Sequence, residues 1–227
     1  MGGGGVVLVT GFEPFGGEET NPSWDVCRRL PIAIGQARLV ICRVPVEFRR
    51  SIEVVAEAIE RDSPTIVLCL GEAGGRTRVC VERVAINVDD ARSPDNAGAA
   101  PVDEPVAANG PAAHFTTLPM KAMVAAMREA GVPAEVSNTA GTYVCNHLMY
   151  GVLHYLAARS PSALGEGRGE GRVRAGLIHL PYAEEQVIGK PGAPAMALAT
   201  MARGVEAAIV AALEHREDLK VAEDAID

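Results

Sequence analysis

The chain has 227 residues, a formal net charge of -8 at pH 7 and no lysine- or arginine-rich run, so neither nucleic acid nor an anionic membrane surface is expected as a partner. Its length is enough for one α/β domain to bury a full core without disulfide or metal staples. Hydrophobic residues make up 48%, yet no apolar stretch reaches the length of a membrane span.

The opening Met1-Gly2-Gly3-Gly4-Gly5 has neither the charged nor the apolar region of a secretory signal and reads as a disordered leader over residues 1–5. Residues 6–10 (VVLVT) form a short continuous apolar run, the pattern of a strand buried on both faces. A Gly/Pro-rich loop follows over 11–17, and Asn21-Pro22-Ser23 opens a helix to about Leu30. Residues 37–44 read as a strand, 47–62 as a helix with apolar spacing at Ile52, Val55, Ala56 and Ile59, and 65–70 as a second buried strand. Between 79 and 116 the pattern loosens into VCVERVAINV and a long Asp/Pro/Asn/Gly-rich stretch, a length typical of functional loops. A helix over 119–130, a strand over 134–140, a helix beginning near Cys145, a surface loop over 160–172, a strand over 173–180 and a helix over 194–214 complete the chain. Strands alternating with helices imply a three-layer α/β/α sandwich around a twisted, mostly parallel (mixed) sheet, phosphorylase/hydrolase-like, as one domain over 6–214 with a polar tail over 215–227.

In such sheets ligands bind beyond the carboxyl ends of the strands, and four segments are expected there: 11–17, 71–76, the start of the Cys145 helix, and His179. The five cysteines (27, 42, 69, 80 and 145) form no zinc spacing, and their odd number without a secretion signal points to free thiols in a cytoplasmic setting; no metal is expected. Cys27, Cys42, Cys69 and Cys80 sit in apolar patterns and read as core. Cys145 follows a small-residue turn at a helix start, where backbone N–H groups and the helix dipole favour a thiolate; taken alone it could equally be a small buried hydrophobe capping the helix.

A thiol nucleophile needs a base. Of the five histidines, His147 is two residues from Cys145 and cannot face it on a helix, so packing or local hydrogen bonding is its expected role. His154 lies deeper in the same helix, and His114 and His215 have no motif around them. His179 ends an apolar strand before Pro181, where the switch-end rule places function. Among the carboxylates of the loose region Glu82 is favoured, because Val84-Ala85-Ile86 after it imply a strand anchor. Arg92 could stabilise an oxyanion, or form an ordinary loop salt bridge with Asp90 or Asp95. Phe12 and Phe15 flank Pro14 in a chain with only 4% aromatics and would line an apolar slot for a small flat ring, or pack in part into the core.

The segments TGFEPFGG (10–17), NPSW (21–24), GEAGGR (71–76), ERVAIN (82–87), DDARSPDN (89–96), PVDEP (101–105), NTAGTYVCNHLMYG (138–151) and GLIHLPY (176–182) together resemble the pyroglutamyl-peptidase I (pyrrolidone-carboxylate peptidase) family of cysteine peptidases. The resemblance implies an exopeptidase that cleaves after an N-terminal pyroglutamyl residue through a thioester. Cys145 would be the nucleophile, His179 the base and acid, and Glu82 the carboxylate that orients it. Arg92 would support the oxyanion, Phe12 and Phe15 would sandwich the pyrrolidone ring, and Asn21 would support that pocket. It also implies pyroglutamyl-peptide substrates, no cofactor, and a homotetramer (or dimer). Two departures stand out: Glu72 stands in the glycine-rich turn where relatives carry glutamine or an apolar residue, with either its side chain or only its backbone expected at the ring pocket, and the 160–172 loop is longer. A nucleoside-phosphorylase-like binding domain lacks a clear phosphate site here and leaves Cys145 unused. A thiol redox sensor lacks a resolving cysteine near Cys145.

Overall fold

The computed structural model describes residues 5–159 and 172–223, so residues 1–4 of the expected leader, 160–171 of the expected loop and the last four residues of the tail lie outside the described residues. The elements begin with β1 (Val6–Phe12), α1 (Pro22–Cys27), β2 (Ala33–Ile34), β3 (Ala37–Val44), α2 (Arg50–Asp62) and β4 (Ile66–Glu72). They continue with β5 (Val79–Glu82), β6 (Val84–Ile86), β7 (Ala113–Phe115), α3 (Met120–Glu129) and β8 (Ala134–Ser137). α4 (Val144–Ala158), β9 (Arg174–Leu180), a short 3-10 turn (Glu184–Val187) and α5 (Leu198–Glu214) complete the set.

Seven strands form one sheet in the order β2-β3-β1-β4-β9-β5-β8, and β6 pairs with β7 as a separate hairpin. β3, β1, β4 and β9 run parallel. β5 runs antiparallel to β9, and β8 follows β5 in parallel. The apolar runs serve two cores, as a strand's alternation requires. Val7, Val9, Ile66, Leu68 and Leu70 join the helical side chains of α3 and α5, whereas Leu8, Val67, Cys69 and Leu177 join those of α2 and α4. The α/β/α sandwich is therefore the observed fold.

Local chemistry sets several element ends away from the expected ones. α1 starts where Asn21 Oδ1 accepts the Ser23 N–H at 3.0 Å with Pro22 in the first turn. Its α-helical part stops at Cys27, because the Leu30 N–H turns back to the Cys27 carbonyl. α2 begins at Arg50 rather than 47, since Asp95 takes the Phe48 N–H at 2.8 Å and Arg49 adopts φ of 64°. β8 ends at Ser137, whose hydroxyl engages Thr139, and Gly141 turns at φ of 77°. The loose region is pinned by amides. Asn87 bonds to Ala107 in both directions, and Asn146 bonds to Ile86 and Val88.

The residues after α5 dock against the body of the protein. α3 is preceded by Pro119, which has no side-chain acceptor for the helix's first N–H groups. Asp218 supplies it from afar: Oδ1 accepts from Lys121 N at 2.9 Å and from Ala122 N at 3.1 Å. Arg128 grips Glu223 with both terminal nitrogens, at 2.7 and 3.2 Å. Asp218→Ala is expected to destabilise the fold by about 1 kcal/mol, the usual worth of a lost N-cap, read as a lower urea midpoint with an unchanged slope.

Candidate active site

Three of the four expected segments meet at one edge of the sheet. Gly11-Phe12 ends β1, Gly71-Glu72 ends β4, and His179-Leu180 ends β9, all on parallel strands. The fourth arrives differently from the simple rule. Cys145 follows β8, which runs against β9 through β5, so residues 138–143 must return along the sheet before α4 begins.

His179 is 3% exposed and sits between Gly71 on β4 and Cys80 on β5. Its Nδ1–H donates to Glu82 Oε1 at 2.7 Å. Glu82, the last residue of β5, is fully buried and also accepts from Arg76 Nη1 at 2.7 Å. Cys145, the second residue of α4, is half-buried. The thiol and the imidazole converge at Gly71. A methyl group placed there would stand 2.9 Å from Cys145 Sγ and 3.3 Å from His179 Nε2, so only glycine permits the approach. The N-cap of α4, Tyr143, gives no side-chain hydrogen bond, and the first-turn N–H groups have no capping side chain.

The electrostatics follow from these contacts. Burial works against the charge on Glu82. The His179 hydrogen bond and charge, with Arg76, outweigh it and hold the carboxyl below its ordinary range. Burial likewise disfavours imidazolium, but the Cys145 thiolate and Glu82 together raise His179 to about 9. By contrast, burial lifts the thiols of Cys69 to about 12 and Cys80 to about 11, and that of Cys27 higher still.

A cleft of about 590 Å³ opens over Cys145 and His179, walled by Arg92, Asp90, Tyr143 and Tyr182. Arg92 is exposed on this wall and has no ion-pair partner among the described residues; Asp95 is occupied by the Phe48, Ala97 and Ala99 N–H groups. Beside Cys145 lies a small pouch lined by Phe12, Phe15, Asn21, Val46, Glu72 and Tyr143, with about 10 Å³ free, room for about one water. Asn21 lines it while its amide is spent on Ser23 and the Glu13 carbonyl. Ser23 in turn fixes Phe12, whose N–H donates to Ser23 Oγ at 2.9 Å. Glu72 lines both the pouch and the larger cleft, and its Oε2 accepts from Gln186 Nε2 at 2.8 Å. Burial raises its carboxyl, partly opposed by Gln186.

The remaining histidines are placed elsewhere. His147 is buried, donates from Nδ1 to Asp89 Oδ2 at 2.7 Å and accepts the Arg49 N–H at Nε2. His114 and His154 face each other at 3.1 Å. Arg76, Gly71, Tyr143 and Tyr182 carry site geometry that the sequence reading did not assign. Arg76 offered the clearest signal, a lone cation in a glycine-rich turn six residues before Glu82. Among the described residues no group of three His, Cys, Asp or Glu side chains could hold a metal, and no helix is long and apolar enough to cross a membrane.

A thiol at a helix start, an imidazole against it and a buried carboxylate behind, on an α/β/α sandwich, define the class as a cysteine hydrolase. The profile described as pyroglutamyl peptidase matches residues 6–215. The chain belongs to the pyroglutamyl peptidase family. It is 54% identical over 217 residues to the pyrrolidone-carboxylate peptidase of Escherichia fergusonii, covering 95% of this chain and 96% of that one. It is 53% identical over 217 residues to its counterpart from Erwinia tasmaniensis, again covering 95% and 96% of the two chains. Among solved structures, pyroglutamyl peptidase I from Bacillus amyloliquefaciens superposes with a TM-score of 0.89 at 42% identity, covering 96% of this chain and 100% of that one. Pyrrolidone carboxyl peptidase from Thermococcus litoralis gives 0.86 at 35% identity, covering 96% and 99%.

Two outcomes are expected from this geometry. Gly71→Ala should leave the fold intact and lower kcat/KM about a hundredfold, because a methyl group wedges the thiol from the imidazole. Activity that depends on His179 imidazolium should hold through neutral pH and fall as pH rises through about 9, read from a kcat/KM profile.

Proposed function

We propose that the chain is a cysteine exopeptidase that hydrolyses the amide bond after an N-terminal pyroglutamyl residue of peptides and proteins. The observation that carries the reading is the alignment of Cys145, His179 and Glu82 beside an apolar pouch between Phe12 and Phe15. Family membership and the named activities of the relatives support it.

A pyroglutamyl terminus has no ammonium group. It presents a flat lactam with one N–H, one C=O and apolar faces, which two phenylalanines complement without a charged anchor. Phe12 is buried and its backbone N–H is held by Ser23, so half-buried Phe15 is the ring that would give way to admit the lactam. Glu72, which lines the pouch and whose charge is disfavoured by burial, would meet the lactam's polar edge.

In acylation, Cys145 Sγ bonds to the carbonyl carbon that links pyroglutamate to the next residue. The oxyanion forms against the first-turn N–H groups of α4 and Arg92. The C–N bond breaks, its electron pair stays on nitrogen, and His179 Nε2 delivers the proton to the departing amine. Water then attacks the thioester while His179 takes its proton, releasing pyroglutamate and the thiolate. Glu82 keeps the imidazole oriented throughout and exchanges no proton.

The same reading takes the protein as a single catalytic domain over residues 6–214 that needs no cofactor and works as a homotetramer in the cytoplasm. The free thiols suit a reducing compartment, and exposed Phe115 and Ile86 on the β6–β7 hairpin offer an apolar surface for contact between copies. In reducing buffer, the wild-type protein should release the amine from a pyroglutamyl arylamide, and Cys145→Ala should release essentially none while keeping its circular dichroism. Turnover by the alanine variant comparable to wild type would remove Cys145 from the role of nucleophile.

A further inference from the structure

Glu82 Oε1 is shared between two donors. His179 Nδ1 and Arg76 Nη1 both reach it at 2.7 Å, while Glu82 Oε2 is buried with no hydrogen-bond partner. Arg76 is fixed at its other end, where Nη2 donates to the Thr139 carbonyl at 3.0 Å. Thr139 belongs to the stretch that returns from β8 to Cys145. One guanidinium therefore ties the carboxylate behind the imidazole to the loop that delivers the thiol.

The sharing has a chemical consequence. A carboxylate that faces only an imidazolium holds its proton tightly by charge and hydrogen bond. A guanidinium on the same oxygen draws off part of that attraction, and its own positive charge disfavours a second cation nearby. The imidazolium is left a stronger acid than a plain His–carboxylate pair would make it. Acid strength is what matters when an amine leaves, because the C–N bond cannot break cleanly until nitrogen gains a proton.

We propose that Arg76 is a positioning residue that sets the acid strength of His179, by holding Glu82 Oε1 and moderating its pull on the imidazolium. This rests on the peptidase reading given above. Arg76 exchanges no proton; it borders the cleft, but its assigned influence runs through Glu82. The transferred proton runs from His179 Nε2 to the departing nitrogen as the Sγ–C bond forms and the C–N bond breaks. The influence of Arg76 should therefore depend on the leaving group. An arylamine, weakly basic and a good leaving group, needs little help, whereas an alkylamine needs the full proton.

The test compares wild type, Arg76→Met and Arg76→Lys on a pyroglutamyl arylamide and a pyroglutamyl alkylamide across neutral and alkaline pH. Arg76→Met should lose about tenfold more kcat on the alkylamide than on the arylamide, and its alkaline limb should move upward by about one pH unit. Arg76→Lys, which keeps the charge, should restore most of both. Equal losses on the two amides with an unmoved limb would reduce Arg76 to a structural brace and overturn the proposal. Where Arg76→Met does not fold, Arg76→Gln, which keeps an N–H donor without the charge, must show the same upward shift, and an unmoved limb there overturns it equally. The NMR titration midpoint of the His179 ring, wild type against variant, reads the same quantity without turnover. A midpoint that rises in the uncharged variant supports the proposal even if wild type cleaves neither amide, an outcome that would defeat the peptidase reading alone. A midpoint that stays put defeats the proposal even if both amides are cleaved.

Discussion

A charged carboxylate sealed from water is the constraint on which this site depends. Glu82 has no solvent exposure, and an unpaired ion there would cost several kcal/mol. It is tolerable only because His179 and Arg76 both point at Oε1. Each of those groups is in turn fixed by the sheet or by a backbone carbonyl. The order of the site is thus imposed from its most buried member outward. The carboxylate sets the imidazole, the imidazole faces the thiol, and the missing side chain of Gly71 leaves both uncrowded.

The reversal of β5 makes this possible. Because β5 runs against β9, Cys80 lies opposite His179, and Glu82, two residues on, lies on the same face as a diagonal neighbour within reach of a long side chain. β8 follows the direction of β5, so the chain has to return over the sheet before α4 can start. That return passes Thr139, which Arg76 holds, and Thr142, whose hydroxyl bonds the Asp90 carbonyl at 2.8 Å. The segment carrying Arg92 and the segment carrying Cys145 are therefore joined where they border the cleft.

Much of this was legible in the chain, for reasons that are local. Short continuous apolar runs are the pattern of strands buried on both faces, and β1 and β4 are such strands. Asn21-Pro22-Ser23 carries a helix-start signal, and α1 starts there. Cys145 at a helix start and His179 before a strand-ending proline stood out by position, and the structure brings them together with Glu82. What stayed hidden is set by distance along the chain. Strand direction leaves no local trace, so the route by which Cys145 reaches the site could not be read from its neighbours. Arg76 looks like a surface cation until the turn folds it onto Glu82. Asp218 looks like tail composition until it meets α3, whose own proline start cannot cap it. The loose stretch after Glu82 hides the β6–β7 hairpin because both strands are short and one lies beyond a long loop.

The near absence of free space between Phe12 and Phe15 bears on the thermodynamics of recognition. A pouch that holds about one water has almost no ordered solvent to release when a ring enters. On the peptidase reading, the usual entropic signature of burying apolar surface would then be weak. The gain would come from dispersion contacts between the lactam faces and two aromatic rings, so association should be driven mainly by enthalpy near room temperature. Discrimination would follow the same physics. A linear side chain of similar polarity could not fill a flat slot on both faces, and the contacts it failed to make would be lost outright, with no release of water to offset them.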